Sequence, residues 1–338
     1  MKKVRVSYTT SSTDFYFSAS FSYLKQIVDS SRCVIITDEH VFDAHSKKFK
    51  GWNCIVLKAG EHYKVQTTVD SIIEQLIEME ADRKFTLIGV GGGVVTDITG
   101  YAASIFLRGI NFGFAPTSLL AMVDAAIGGK NGIDVGIYKN MAGTIRQPSF
   151  IFYDTAFLKT LPDAEWRNGF TEIIKHACIK DAAMFRELEF YSPESFMRTG
   201  KINELIQRNA MLKAKVVKYD EFENGERRLL NFGHTIGHAL ENQYELSHGQ
   251  AISIGMTCAS HISESFTRFN ETGRVVELLK KFGLPAYASF DKQKVFSVLR
   301  MDKKRQRKEI NFVLLQKIGK AVVQPIELSH LEKIINSL

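Results

Sequence analysis

Apolar segments that alternate with helix-like segments are the feature of the first half of the chain that most constrains its fold. Four short apolar segments end in turn-forming or polar residues: CVIITDE (33–39), NCIVLKAG (53–60), FTLIGVGGG (85–93) and FGFAPTS (112–118). Residues 68–80 and 94–109 instead carry apolar side chains at helical spacing. Strands that alternate with helices predict a mostly parallel sheet covered by helices, which is an α/β domain.

Helical patterns dominate the second half of the chain, from about residue 163 onward. Two later segments, EINFVLL and AVVQPIEL, predict a β-hairpin near the C-terminus. The change of pattern falls where LKTLPDAE begins a new helix. We therefore predict an α/β domain over residues 1–158 and a mainly α-helical domain over residues 159–338.

Length and charge restrict the function only weakly. The chain has 338 residues, which suits about two domains. Its formal net charge of +7 is modest for this length. The one dense basic run, DKKRQRK (302–308), leaves three interpretations open: a solvated loop, a nucleic-acid patch or a phosphate clamp. The interpretation as a nucleic-acid-binding protein would rest on this charge alone.

Cysteine spacing and hydropathy predict the compartment. The four cysteines lack CxxC spacing and are interpreted as reduced thiols. No run approaches the ~18 apolar residues that a membrane span needs. The N-terminal MKKVRVSYTT alternates like a strand and has no signal-peptide core. We expect a cytoplasmic protein without a membrane partner.

Two glycine-rich turns predict binding of anionic groups. Gly91, Gly92 and Gly93 join a strand to a helix, and such turns let backbone N–H groups approach a phosphate at a helix N-terminus. The spacing is not G-x-G-x-x-G, so a plain tight turn remains an alternative to a nucleotide site. The second turn, DAAIGGKNGID (124–134), places Lys130 after two glycines; its alternative is a surface turn with a solvated lysine.

Histidines and a glutamate predict a metal site. His234 and His238 are four residues apart, so a helix would place both on one face. Local spacing favours this pair but does not exclude His234 with His248. Glu172 could supply a carboxylate, and a carboxylate with two histidines is a common catalytic metal set. The residue after His234 is Thr235, so the glutamate base of the metalloprotease helix pattern is absent.

The motifs together resemble those of the 3-dehydroquinate synthases, over most of the chain. The segments that carry the resemblance are AGEHYK, GGGVVTD, FLRGI, PTSLLAMVDAAIGGK, LKTLP, GFTEIIKHACIKD, LKAKVV, DEFENGERRLLNFGHTIGHALE and HGQAISIGM. The resemblance implies that the metal ligands are Glu172, His234 and His248. It implies that His238 instead lies with Asn231 at the phosphate of the substrate.

The resemblance also implies roles for further residues. Catalytic roles are implied for Lys175, Lys213, Glu223, Arg227, Asn231 and His238. Substrate contacts are implied for Arg108, Asp124, Lys130, Asn140 and one lysine of DKK, either Lys303 or Lys304, with Lys304 preferred. Contacts with NAD are implied for Asp38, Glu61, Lys64, Gly92, Gly93, Val94, Asp97, Thr117, Ser118, Lys139 and Thr160.

The activity implied is a phosphate-eliminating carbon–oxygen lyase of the shikimate pathway. It would convert 3-deoxy-D-arabino-heptulosonate 7-phosphate to 3-dehydroquinate, with NAD and a divalent metal, Zn²⁺ or Co²⁺. The partners implied are a small anionic phosphorylated substrate and a second copy of the chain in a homodimer, with no nucleic acid. The alternatives are a cyclitol-forming cyclase acting on sedoheptulose 7-phosphate and, less well supported, an NAD-dependent polyol dehydrogenase.

Three positions depart from the usual family pattern. Thr96 stands where glycine is usual, Asp134 where asparagine is common, and Gln250 where glutamate is usual. None of the three changes a proposed metal ligand.

Overall fold

A computed structural model describes residues 1–338 except Ile137, Thr199, Asn242, 301–304, 307–308 and Leu338. The chain divides into two compact units. Unit 1 comprises Met1–Trp166 and Asn203–Phe222, and unit 2 comprises Arg167–Ile202 and Glu223–Leu338.

Unit 1 is built on a mostly parallel sheet. Its strands are β1 (Lys2–Ser7), β2 (Ser12–Phe17), β3 (Cys33–Asp38), β4 (Asn53–Leu57), β5 (Thr86–Gly91), β6 (Asn111–Pro116), β7 (Lys130–Val135), β8 (Tyr138–Ile145) and β9 (Phe150–Phe152). The sheet order is β1-β2-β9-β6-β5-β3-β4, in which β1 and β2 are antiparallel and every other pairing is parallel. The remaining strands, β7 and β8, pair separately as an antiparallel hairpin.

The central strands have the apolar sequences that parallel strands need. Every residue of β5 is buried, as are the first five residues of β3, because helices cover a parallel sheet on both faces. The helices of unit 1 are α1 (Glu39–Phe49), α2 (Gln66–Glu78) and α3 (Gly93–Ile105). These elements confirm the predicted α/β architecture and the four predicted strands.

The β7–β8 hairpin is an element that the sequence did not predict. The sequence predicts a glycine-rich turn over residues 124–134, yet Lys130 already begins β7. The hairpin packs on α3 at Gly100, where an added Cβ would lie 1.9 Å from Oδ1 of Asn131. Close packing of a strand on a helix glycine leaves no periodic signal in the local sequence.

Unit 2 is mainly helical, as predicted. Its helices are the main part of α4 (Asp163–Lys180), α5 (Ala182–Phe190), α6 (Pro193–Arg198), α8 (His234–Glu241), α9 (His248–Thr267), α10 (Thr272–Lys281), α11 (Lys292–Arg300) and α12 (Leu328–Ser337). The predicted hairpin is confirmed as antiparallel β11 (Glu309–Lys317) and β12 (Lys320–Glu327), flanked by the short β10 (Arg305–Gln306). Its apolar face packs on α9, with Phe312 and Leu314 in the same core as Ile254 and Ile262.

The division of the chain differs from a single boundary at residue 158. Unit 1 continues to Trp166 and takes back residues 203–222, most of which lie in α7 (Lys201–Tyr219). Buried polar contacts explain why this segment belongs to unit 1. Glu221 accepts hydrogen bonds from the backbone N–H of Thr9 at 3.0 Å and from the side chain of Gln147 at 2.9 Å.

No helix in the described ranges combines the length and the apolar character that crossing a bilayer requires.

Candidate active site

The glycine turn of unit 1 lies between β5 and α3. Gly91 ends the strand, Gly92 caps the helix in extended geometry, and Gly93 is the first helical residue. A Cβ on Gly91 would lie 2.5 Å from the side chain of Val95, so the turn excludes a larger residue there. The first N–H groups of α3 have no partner within the helix, which makes this terminus suitable for an anionic group.

Thr96 fits this helix without disturbing its first turn. Its backbone N–H bonds to the carbonyl of Gly92 at 3.1 Å, as in a regular helix. Its hydroxyl donates to the carbonyl of Gly93 at 2.9 Å, and the residue is buried. The departure from glycine at this position therefore leaves the turn intact.

Other predicted cofactor contacts lie at the carboxyl ends of neighbouring strands. Thr117 follows β6, and its N–H donates to the carbonyl of Gly91 at 2.9 Å. Ser118 is buried beside Gly92, and its hydroxyl accepts from the N–H of Ala121 at 3.2 Å. Adjacent carboxyl ends of parallel strands are where open α/β sheets bind ligands.

Two predicted cofactor residues of unit 1 have structural partners of their own. Asp38 ends β3 and caps α1, where its carboxylate accepts from the N–H of Val41 at 3.0 Å. The hydroxyl of Thr160 lies 2.8 Å from Nε2 of His45, a residue that the sequence did not single out. Val94, also predicted as a cofactor contact, is half-buried in the first turn of α3.

Lys64 joins three residues of the predicted set. Its side chain is only 6% exposed, and its Nζ lies 2.6 Å from Asp97, 2.7 Å from Oδ1 of Asn140 and 3.9 Å from Glu61. Burial acts to lower the pKa of Lys64, but the charges of Asp97 and Glu61 raise it above its usual value. Lys64 is thus a fixed cation that holds parts of three separate segments together.

The β7–β8 hairpin carries Asn140 in a strained conformation. Asn140 has a φ of +54°, and its N–H donates to the carboxylate of Asp134 at 2.7 Å. The N–H of Asp134 donates in turn to the carbonyl of Lys64 at 2.8 Å. The departure to aspartate at 134 therefore has a defined partner. Lys130 and Lys139 lie on the same hairpin and are exposed.

The remaining predicted residues of unit 1 form one buried pair and one exposed turn. Lys213 on α7 is buried, and its Nζ lies 2.8 Å from the carboxylate and 2.9 Å from the carbonyl of Asp124. Arg108 is exposed in a tight turn, where both it and Leu107 have positive φ before Gly109.

Unit 2 brings a glutamate and two histidines into a compact cluster. Nε2 of His248 lies 3.4 Å from Oε1 of Glu172, and Nε2 of His234 lies 3.7 Å from the same oxygen. One ligand atom from each residue lies within 4.8 Å of the others. The set that the resemblance implied is therefore assembled, and His238 is not part of it. The i,i+4 spacing that favoured His238 reports only a shared helix face.

Close helix packing brings the two histidines together. His234 is the first residue of α8, and Gly233 before it has a φ of +78°. A Cβ on Gly255 of α9 would lie 2.0 Å from the carbonyl oxygen of Gly233. Only glycine at these positions lets α8 and α9 approach closely enough to set His234 beside His248.

The start of α9 is tied to the helix that carries Glu172. Oδ1 of Asn168 accepts from the N–H of Gly249 at 3.1 Å and from the hydroxyl of Ser247 at 2.9 Å. Ser247 and Gln250 form a capping box at this terminus. A glutamine serves this motif as well as a glutamate does. The departure at 250 therefore preserves the structure around His248.

Burial and nearby charges shift the pKa values of His234 and His248 in opposite directions. Burial and the nearby Lys175 hold the pKa of His234 well below its usual range, so its ring is neutral. Its Nδ1 lies 3.1 Å from the carbonyl of Phe232, which directs Nε2 toward Glu172. Burial opposes protonation of His248, but Glu172 and Glu241 raise its pKa to about 9.

Two further predicted residues of unit 2, Lys175 and His238, lie close to this cluster. Lys175 is buried and forms an ion pair with Glu172 one turn before it. His238 is exposed, with its ring centroid 5.1 Å from that of His234.

The segment before α8 holds three more. Glu223 has positive φ, and its carboxylate accepts from the amide of Asn231 at 2.5 Å. Arg227 is buried in the short 3-10 helix Glu226–Asn231. Lys303 and Lys304 lie outside the described residues.

Sequence reasoning missed Glu241 and Asn168. Glu241 lies 3.7 Å from Nδ1 of His248. A usable signal was present, because His234, His238 and Glu241 have i, i+4, i+7 spacing on one helix face. Asn168 gave no comparable signal, since its contact spans 81 residues of sequence.

These features define a class of protein. It combines a mostly parallel α/β unit that has a glycine turn at its strand ends with a mainly helical unit in which one carboxylate and two imidazoles lie close enough to hold a metal ion. Family models for the two halves of 3-dehydroquinate synthase match the chain, the N-terminal model over residues 54–168 and the C-terminal model over residues 169–305. The chain belongs to the 3-dehydroquinate synthase family.

Individual relatives agree with this assignment. A 3-dehydroquinate synthase of Campylobacter jejuni subsp. doylei is 38% identical over 317 residues, covering 89% of this chain and 90% of that protein. A 3-dehydroquinate synthase of Pyrococcus furiosus is 41% identical over 292 residues, covering 86% and 84%. The crystal structure of a 2-epi-5-epi-valiolone synthase from Streptomyces hygroscopicus subsp. jinggangensis, with NAD⁺ and Zn²⁺ bound, has a TM-score of 0.89 at 27% identity and covers 98% of each chain.

Proposed function

We propose that this enzyme of the 3-dehydroquinate synthase family is itself a 3-dehydroquinate synthase. It would convert 3-deoxy-D-arabino-heptulosonate 7-phosphate to 3-dehydroquinate and inorganic phosphate. The observation that carries the proposal is the cluster of Glu172, His234 and His248, with Lys175 paired to the glutamate. This cluster joins a metal-ligand set to a buried cation in one small volume.

The ligand set fits a divalent ion such as Zn²⁺ or Co²⁺. One carboxylate oxygen and two imidazole nitrogens suit either ion, and the low pKa of His234 keeps its ring in the neutral form that ligates. When bound, the ion would act as a Lewis acid on a substrate hydroxyl that undergoes oxidation. Lys175 lies at the cluster to hold or release the proton of such a hydroxyl.

NAD is the cofactor that we propose for unit 1. The glycine turn at Gly92 and Gly93 suits a pyrophosphate, and Asp38 at the end of β3 suits a ribose hydroxyl. When bound, NAD would accept a hydride and return it within one turnover. The Lys64 network would fix the hairpin that carries Lys139 and Asn140, whose roles we propose as cofactor and substrate contacts.

An anionic substrate explains the cationic residues. The substrate carries a carboxylate and a phosphate, and both must lose water on binding, so cations have to replace that hydration. We propose Lys130, Asn140 and Arg227 for the carboxylate end, and Asn231 and His238 for the phosphate. Glu223 orients the amide of Asn231 through their 2.5 Å hydrogen bond.

The order of bond changes follows from the chemistry of the substrate. Oxidation of a ring hydroxyl to a ketone acidifies the adjacent C–H. A proton and the phosphate then leave by β-elimination, so that a double bond forms. Reduction restores the hydroxyl, the ring opens, and an intramolecular aldol addition closes the carbocycle. The residues above would hold one intermediate through all of these steps.

Phosphate release tests the proposal directly. The purified protein receives NAD and Zn²⁺ or Co²⁺, with 3-deoxy-D-arabino-heptulosonate 7-phosphate in one reaction and sedoheptulose 7-phosphate in another. We expect turnover of the first substrate only, and its loss with a chelator. Turnover of the second only would identify a cyclitol-forming cyclase and would mean that Lys130, Asn140 and Arg227 do not bind a carboxylate.

The assembly proposed from the family resemblance is a homodimer. Sedimentation of the purified protein measures it, and a monomer at assay concentration would contradict it.

A further inference from the structure

Glu241 is a further carboxylate beside the cluster of Glu172, His234 and His248. It is the last residue of α8, two turns after His234, and its side chain is only 10% exposed. The opposite face of α8, including Ile236 and Leu240, packs into the core of unit 2. The helix therefore holds Glu241 on the face that carries His234 and His238.

The ring of His248 lies between two carboxylates. Its Nε2 is 3.4 Å from Oε1 of Glu172, and its Nδ1 is 3.7 Å from Oε2 of Glu241. An imidazole that ligates a metal through one nitrogen carries its proton on the other, and a carboxylate next to that N–H fixes the ring orientation and strengthens the ligand. Glu241 occupies that position for His248. For His234 the corresponding acceptor is the carbonyl of Phe232, 3.1 Å from Nδ1.

We propose that Glu241 is a positioning residue of the metal centre, which acts by orienting and polarising the ring of His248. The proposal rests on the proposed function only in that it assumes a divalent ion at Glu172, His234 and His248. It concerns metal affinity, so it is testable without NAD or substrate.

The experiment measures metal binding by the full-length, metal-free protein. Zn²⁺ is titrated against a chromogenic chelator, and Co²⁺ is titrated by its visible absorption. We expect Glu241→Ala to weaken binding of either ion by about 10- to 100-fold, as for other outer partners of metal ligands. Glu241→Gln, which keeps an acceptor but removes the charge, should weaken it less. The visible spectrum of bound Co²⁺ should change in Glu241→Ala, because the ligand geometry is altered.

A matched control is available in the same segment. Glu245 is exposed, so Glu245→Gln removes the same charge four residues later and should leave metal affinity unchanged. The thermal midpoint of each metal-free variant tests whether the fold is retained. Should Glu241→Ala lose its fold, Glu241→Gln decides: affinity equal to wild type would overturn the proposal.

A double-mutant cycle tests whether Glu241 acts through His248. In a His248→Ala background, removing Glu241 should cost clearly less metal affinity than in the wild type, since the orienting part of its effect is gone. An equal loss in both backgrounds would overturn the positioning role. A wild-type protein that binds neither ion would overturn the proposal as well. A protein that binds metal as expected but releases no phosphate would instead contradict the proposed function alone.

Discussion

The candidate binding sites of the two units are built in different ways. Unit 2 brings Glu172, in the middle of α4, together with His234 and His248 at the starts of α8 and α9. The glycines at 233 and 255 make the approach of α8 to α9 possible. Unit 1 presents its predicted cofactor residues at strand ends and on a hairpin, and the ion pair of Lys64 with Asp97 connects them. The geometry of the histidine and glutamate cluster therefore depends on how closely α8 and α9 pack. The polar network of unit 1 depends instead on a few hydrogen bonds and ion pairs. Substitutions should therefore act differently in the two units.

Removing one of the proposed metal ligands should have the largest effect. We expect His234→Ala to weaken Zn²⁺ binding by more than about 100-fold, because even outer partners of ligands are worth roughly 10- to 100-fold. Metal titration of the stripped protein measures it. His238→Ala is the matched control on the same helix and should keep metal affinity while it lowers phosphate release. Equal loss of metal affinity in both variants would mean that the i,i+4 pair, His234 and His238, ligates the metal.

Shape dependence is tested at Gly255. A Cβ there would lie 2.0 Å from the carbonyl oxygen of Gly233, so α8 and α9 must separate. We expect Gly255→Ala to lower the free energy of unfolding by about 3 kcal/mol, measured by urea denaturation. Gly273 on α10 faces open space, so Gly273→Ala should be neutral or stabilising by roughly 0.5–1 kcal/mol. If the two variants are equally stable, close packing of α8 on α9 at Gly255 is not what holds the cluster together.

The polar network of unit 1 is tested at Lys64. Lys64→Met keeps the aliphatic chain but leaves Asp97 and Asn140 without their shared cation. We expect NAD affinity to fall by about 2 kcal/mol, roughly 30-fold, as for loss of a charged hydrogen bond. Calorimetric titration with NAD measures it. Lys3→Met removes the ion pair between Lys3 on β1 and Asp14 on β2 and should leave NAD affinity unchanged. Unchanged affinity in Lys64→Met would show that the network is structural only.

The smallest effect is expected at Gln250. Gln250→Glu restores the usual family residue and keeps the capping box with Ser247. The free energy of unfolding should change by less than about 0.5 kcal/mol, on the stabilising side because a negative charge is favoured at a helix N-terminus. Ser247→Ala, which removes the cap, should cost about 1 kcal/mol. A larger gain in Gln250→Glu than the loss in Ser247→Ala would mean that charge, not capping, matters at this terminus.

Much of unit 1 was predictable because its information is local. Buried parallel strands need continuous apolar runs, so β3, β5 and β6 could be located from sequence. The edge strand β4 was also located, from its short apolar run. The glycine turn was also visible, since Gly91 to Gly93 separate a strand from a helix. The β7–β8 hairpin was not visible, because it packs on α3 and each of its strands contains a glycine, Gly132 in β7 and Gly143 in β8.

The sequence by itself determined the alternation of strands and helices in the first half and the mainly helical character of the second half. The tertiary structure decided which histidines meet Glu172. Spacing along one helix reports a shared face but not what lies opposite that face. Asn168 ties the start of α9 to the helix of Glu172, and the glycines let α8 approach α9. His248 therefore reaches the cluster from far along the chain, while His238, one turn from His234, does not join it.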